Sequence, residues 1–283
     1  MLVKQIVKRS ALKVLGLLLK EKEIPVLEPG TSVLENCYSC AKAPLVLNCP
    51  RELTRWSLWD GICKEGIHPL QWAAGEIYRG SKEEEIVEKL HRHYQGQWKR
   101  ELPDISGLNS EQAPGLVEKN MLSAVYPWDH LTPAERYNST VNNHTAKNRP
   151  RIEALATSDA EGELSLQAVK LELRYIVKLI VSIKEKGYLR NNSPDGDIRG
   201  ELLVKQDGCR NRYRILIRSG QHRFAALLAR GDENIPVRIF NKPPFVIRME
   251  EISCWPNVAK GVYRVEGAKL IFEHFFNDLG RVE

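Results

Sequence analysis

The chain has 283 residues, 42% hydrophobic and 28% charged, enough apolar material for a buried core, which excludes a generally disordered, collagen-like or coiled-coil protein. Its length fits two domains, or one domain with a large extension. The formal net charge is +6 and is unevenly placed: residues 171–283 hold 20 Lys and Arg against 14 Asp and Glu, while residues 1–170 balance at 22 of each. That excess favours an anionic partner such as a phosphate, a nucleotide or a nucleic acid, and is smaller than a protein that coats DNA would carry.

Residues 2–20 place Leu2, Val3, Ile6, Val7, Leu12, Leu15 and Leu19 among Lys4, Lys8, Arg9 and Lys13, the pattern of an amphipathic basic helix. Packing on its own domain is the expectation, with peripheral contact to a membrane surface as the alternative. The longest strictly apolar run there, Val14–Leu19, is far short of the roughly eighteen residues of a transmembrane segment. Residues 31–66 read as loop-rich and carry Cys37, Cys40, Cys49 and Cys63. A zinc site usually offers two close pairs of ligands and this spacing offers one, so free thiols are expected, with structural zinc as the alternative. With no secretory signal in view, the six cysteines point to a reducing, cytoplasmic compartment.

Pro69 can open a helix, and Ser81 with Glu84 has the form of a capping box ahead of Ile86, Val87 and Leu90. Residues 101–150 read as irregular. Within them Tyr126-Pro127-Trp128-Asp129 has the look of a loop fixed by two aromatics, and a helix is expected from Pro133 with Thr132 as its N-cap. Residues 164–186 carry Leu171, Leu173, Ile176, Val177, Leu179, Ile180 and Ile183 near the helical period, closed by Gly187. Two strands follow, over 201–206 and 212–217, joined by Asp207-Gly208. In the second, Arg212, Arg214 and Arg218 alternate with Tyr213, Ile215 and Ile217, which predicts one basic and one buried face. A short helix over 224–230 and a strand over 235–239 complete what reads as a crossover unit.

The chemistry-bearing run is Ser219-Gly220-Gln221-His222-Arg223. Glycine permits a tight strand-to-helix turn. The residues after it stand at a helix N-terminus, where N–H groups and the helix dipole favour an anion, and Arg223 can grip a phosphate through two parallel hydrogen bonds. Arg218 could add charge. Equally, His222 and Arg223 could brace the turn, with Arg223 paired to Asp195 or Asp197. Those two carboxylates could hold Mg²⁺, or one could act as general base toward a hydroxyl; Asp-Gly-Asp is also ordinary turn chemistry.

Residues 176–240 resemble the ParB/sulfiredoxin-like fold, which includes ParB nucleotide-binding domains, sulfiredoxin and the free-serine kinases. Three stretches carry the likeness: Ser182 to Leu189, Ser219-Gly220-Gln221-His222-Arg223-Phe224-Ala225-Ala226, and Gly231 to Ile239. The chain reads as an α/β protein with a helical, loop-rich region over 1–160 and, by this resemblance, a phosphate- or nucleotide-binding domain over 165–283. The resemblance implies binding of ATP or another nucleotide with Mg²⁺, held by Gly220, Gln221, His222, Arg223 and Arg218, and phosphate transfer to a small hydroxylated acceptor with Asp195 or Asp197 in a catalytic role. Two alternatives stand beside the kinase reading: a non-enzymatic nucleotide switch and a ParB-like nucleic-acid binder. Sulfiredoxin has a catalytic cysteine where Gln221 stands, so sulfinic acid reduction is not expected. No helix-turn-helix is evident after residue 240, which weakens DNA segregation.

Overall fold

The computed structural model describes residues 26–27, 45–60, 67–97, 101–119, 121–142, 166–190, 196–240 and 246–276. The basic helix expected over 2–20, Cys37, Cys40, Cys63 and Asp195 lie outside these residues. The described chain is a mixed α/β structure around a seven-stranded sheet. The strands run in the order β1 (Val26–Leu27), β2 (Leu45–Pro50), β6 (Asn234–Ile239), β4 (Ile198–Asp207), β5 (Arg210–Ser219) and β3 (Thr54–Arg55), with β7 (Val246–Arg248) paired to β4.

The β4–β5 hairpin forms at the expected Asp207-Gly208 turn, with Leu202 opposite Ile215 and Val204 opposite Tyr213. On its other edge β4 has two parallel neighbours, β6 beside Ile198–Gly200 and β7 beside Leu202–Val204. Strand β6 is therefore parallel to β4 and opposed to β5. The expected crossover is corrected accordingly: the helix after β5 carries the chain over β4, and the parallel pair is β4 with β6. Strand β2 joins β6 antiparallel and β3 joins β5 parallel, so N-terminal strands complete the C-terminal sheet. The boundary expected near residue 160 does not divide two cores, because Leu45, Leu47 and Leu70 share one cluster with Leu202, Ile217 and Phe224.

Both faces of the sheet are covered. On the first, Ile198, Leu202, Val204, Ile215, Ile217 and Val237 pack against α1 (Pro69–Arg79), α2 (Glu83–Gln97), α5 (Leu166–Lys186) and α6 (Gln221–Arg230). Helix α5 follows its sequence period, with Ala168, Val169, Leu173, Ile176, Ile180 and Ile183 buried at spacings of three and four. On the second face, Leu203, Leu216 and Ile247 meet Trp59, Tyr126, Trp128, Trp255, Phe272 and Phe275. That layer comes from α3 (Leu102–Ser106) with the loops after it, and from the C-terminal helices α7 (Pro256–Ala259) and α8 (Val265–His274). The basic face expected for β5 is open only at its start, at Arg212, since Leu216 and Arg218 farther along lie under this second layer.

Local signals decide the helix ends. Helix α1 is capped by His68, whose Nδ1 accepts from the Leu70 N–H at 3.2 Å. The capping box expected at Ser81 does not form: its hydroxyl donates to Glu76 and α2 starts at Glu83. Helix α4 (Pro133–Asn142) has the expected reciprocal cap. The Thr132 N–H and hydroxyl donate to the Glu135 carboxylate at 2.8 and 2.9 Å, and the Glu135 N–H returns to Thr132 Oγ1 at 3.3 Å; such a cap contributes about 1 kcal/mol. No helix among the described residues is long and apolar enough to cross a membrane.

Candidate functional site

Strand β5 hands the chain to α6 through Ser219 and Gly220. Gly220 is the N-cap residue at φ 77° and ψ 24°, and the first intrahelical bond runs from the Phe224 N–H to the Gly220 carbonyl at 3.0 Å. No side chain caps this end. The amides of His222 and Arg223 therefore precede the first helical bond and point out of the helix. A Cβ at Gly220 would stand 2.9 Å from the Ile198 Cα and 3.0 Å from the Asp197 carbonyl oxygen. Glycine is needed both for the positive φ and because the turn lies directly on the start of β4.

Asp197 is buried under this turn, its side chain 2% exposed. Its Oδ1 accepts from Arg190 Nε at 3.2 Å and its Oδ2 from Arg238 Nη1 at 3.3 Å. Both carboxylate oxygens are engaged, which makes Asp197 an anchor for two guanidiniums instead of the open base or metal ligand expected from the sequence. Two guanidiniums thus share one buried carboxylate. Arg199 donates from Nη2 to Ser219 Oγ at 3.2 Å and lies over the Phe240 ring. Tyr188 lies among the same groups: burial pushes its hydroxyl up, while the Arg223 guanidinium draws it down.

Arg223, the third residue of α6, makes no ion pair and no side-chain hydrogen bond among the described residues. The bracing pair with Asp197 is thus not formed. His222 next to it is held: its Nε2 lies 2.5 Å from Glu172 Oε2 on α5. Glu172 occupies the buried row of that helix, where a lone carboxylate would be costly and a hydrogen-bonded partner offsets the cost. The Tyr175 ring stands 6.2 Å from the imidazole.

Arg218 does not reach this turn. It lies on the second face, where Nη2 grips both oxygens of Asp129 at 3.0 and 3.1 Å, Nη1 meets Glu201 at 3.1 Å, and the guanidinium is 4.7 Å from the centre of the Tyr126 ring. Trp128 Nε1 donates to the same Glu201 at 2.9 Å. Burial pushes the Glu201 carboxyl up, Arg218 pulls it down, and Asp129 pushes it up again. The C-terminal layer clamps the loop that carries Asp129. Asn257 Nδ2 donates to the carbonyls of Tyr126, Asp129 and Leu131 at 2.9–3.0 Å, and the Tyr263 hydroxyl to that of Val125 at 2.7 Å. The loop-fixing role read for Tyr126 to Asp129 is what the structure has.

Cys49 is buried in β2, its thiol donating to the Leu47 carbonyl at 3.5 Å, and burial pushes that thiol well above its ordinary range. Cys209 and Cys254 are exposed. Among the described residues no three His, Cys, Asp or Glu side chains are gathered as a metal site. Four participants at the turn were not singled out from the sequence: Glu172, Arg190, Arg199 and Arg238. For Glu172 a signal existed, since it falls at the position in the row Ala168, Ile176, Ile180 where the helical period calls for an apolar residue. Compared with protein-family models, with curated proteins and with solved structures, the chain matches none.

Proposed function

We propose that the turn from Ser219 into α6 binds the phosphate of a nucleotide or another phosphorylated small molecule in the manner of a ParB/sulfiredoxin-like domain. With a nucleoside triphosphate and Mg²⁺, the protein would pass phosphate to a small hydroxylated acceptor. Arg223 carries the reading: it is a guanidinium without an ionic partner among the described residues, on the first turn of an uncapped helix. Helix amides and a neighbouring Arg form a compact receptor for an anion.

A thermal-shift screen with ATP, ADP, CTP and sugar phosphates, with and without Mg²⁺, identifies the ligand. Calorimetric titration then compares wild type with Arg223→Ala. Loss of one charge-assisted contact, about 1.5–3 kcal/mol, should weaken binding roughly tenfold or more. Equal dissociation constants refute the assignment. Binding with no transfer across a broad acceptor panel would leave a nucleotide switch. Random duplex DNA should bind no tighter than ~10⁻⁴–10⁻⁶ M at physiological salt, and submicromolar binding would make nucleic acid the partner.

A further inference from the structure

We propose that Glu172 and His222 form a proton-accepting pair at this turn, with His222 as the base toward an acceptor hydroxyl and Glu172 as the residue that positions it. The inference rests on the phosphate-transfer reading above. Glu172 interrupts the apolar row of α5, with its side chain only 9% exposed, and its Oε2 meets His222 Nε2 at 2.5 Å. An ionised carboxylate can only accept, so in the neutral imidazole Nε2 carries the hydrogen and Nδ1 presents a lone pair. Nδ1 has no hydrogen-bond partner among the described residues, and the imidazole side chain is 24% exposed. The ring is thus held through Nε2 by a buried carboxylate, in the first turn of α6 and one residue before Arg223. Asp197 is unsuited to this part, because both its oxygens are held by guanidiniums.

In the transfer step the acceptor O–H bond breaks and its proton moves to Nδ1. The freed oxygen pair forms a bond to the terminal phosphorus of a nucleoside triphosphate. The bond from that phosphorus to its bridging oxygen breaks, and its electron pair departs on the nucleoside diphosphate. The imidazolium so formed faces Glu172, whose charge stabilises it, and it returns the proton to solvent after the products leave.

Two measurements on the full chain test the pair. Nitrogen-15 NMR of histidine-labelled protein should show neutral His222 as the Nε2–H tautomer; an Nδ1–H tautomer overturns the proposal. Transfer from ATP with Mg²⁺ to the acceptor found in the panel should fall ~10²–10⁴-fold in Glu172→Gln and His222→Gln, the range for loss of a positioned base, with the dissociation constant of ATP unchanged. Glu172→Asp, which keeps a carboxylate, should recover part of the rate. His222→Gln transferring at the wild-type rate overturns the proposal, as does a fall in rate that follows weakened ATP binding. A wild type that binds no nucleotide overturns the phosphate reading itself, and with it the base role; a wild type that binds ATP but transfers to no acceptor overturns the base role alone.

Discussion

Gly220→Ala adds one methyl group at the centre of the candidate site. The φ of 77° lies in the left-handed region, at a cost of about 1–2 kcal/mol for a residue with a Cβ. The new carbon would also stand 2.9 Å from the Ile198 Cα and 3.0 Å from the Asp197 carbonyl oxygen. These are backbone atoms, and Ile198 is tied to Val237 by the β4–β6 pairing, so they cannot swing aside as a side-chain end would. Overpacking of this kind adds about 1–3 kcal/mol, for a total of roughly 2–5 kcal/mol out of the 5–15 kcal/mol or so that holds a typical domain folded. The other end of α6 supplies the control. Gly231 has φ 93° with no atom within 4 Å of an added Cβ, so Gly231→Ala carries the conformational cost alone, about 1–2 kcal/mol. Equilibrium urea unfolding of both variants, at unchanged m, should place the Gly220→Ala midpoint clearly below that of Gly231→Ala. Equal midpoints would refute the close seating of the turn on β4. Ligand affinity should fall in Gly220→Ala alone, because only there does the helix end that carries Arg223 have to move.

Asp197→Asn removes the carboxylate charge that Arg190 and Arg238, 14% and 15% exposed, share, and should lower stability by about 3–5 kcal/mol in urea unfolding; a fully stable variant that has lost only phosphate transfer would return Asp197 to a catalytic role. Burial raises the Glu201 carboxyl above its unfolded value, so its contribution to wild-type stability is present below the ordinary carboxylate range and is lost as pH rises through the raised value. Glu201→Gln should therefore gain stability relative to wild type between pH 4 and pH 7, and urea midpoints that move the opposite way contradict this. With iodoacetamide on the native protein, peptide mapping should find Cys209 and Cys254 modified and Cys49 protected until urea is added; equal rates at Cys49 and Cys209 would contradict the burial of β2.

Where a structure depends on neighbours in sequence, the residues disclosed it. Helix α5 with its Gly187 terminus, the β4–β5 hairpin, α6 and β6 all follow from period and turn chemistry, and so does the Thr132 cap. Strand β2 had a signal, the apolar Leu45-Val46-Leu47 between Pro44 and Pro50, but a six-residue run among prolines and cysteines is weak beside the loop composition around it. Strand β3 has two residues and exists because β5 offers it an edge. The larger misreading was of β5. Alternation shows which side of a strand a residue takes, but not whether that side is covered, and the cover over Arg218 comes from Asp129, 89 residues away. The candidate site divides along the same line. Gly220, His222 and Arg223 are contiguous and were legible, whereas Glu172 joins His222 across 50 residues and Arg238 joins Asp197 across 41, distances at which spacing carries no information.

The long-range pairing also changes what the net charge means. Counted along the chain, residues 171–283 are rich in unopposed cations, but folding matches many of them. Arg218 is enclosed by Asp129 and Glu201, Arg190 and Arg238 share Asp197, Lys205 reaches Glu273 and Arg230 reaches Asp232. Arg214 lies over the Phe276 ring. A nucleic-acid surface needs a row of open cations, because each neutralised phosphate adds its own increment of salt-dependent affinity. Pairing removes the middle of the row that β5 seemed to present and leaves Arg210 and Arg212 at the tip of its hairpin, with Arg212 already 3.7 Å from Asp207. At the start of α6 the balance runs the other way: a helix end without a side-chain cap and an Arg223 with no ionic partner among the described residues meet on one turn. For the proposed ligand, positive charge gathered at one turn favours a compact, highly charged group, and a terminal phosphate would match it better than a phosphodiester backbone.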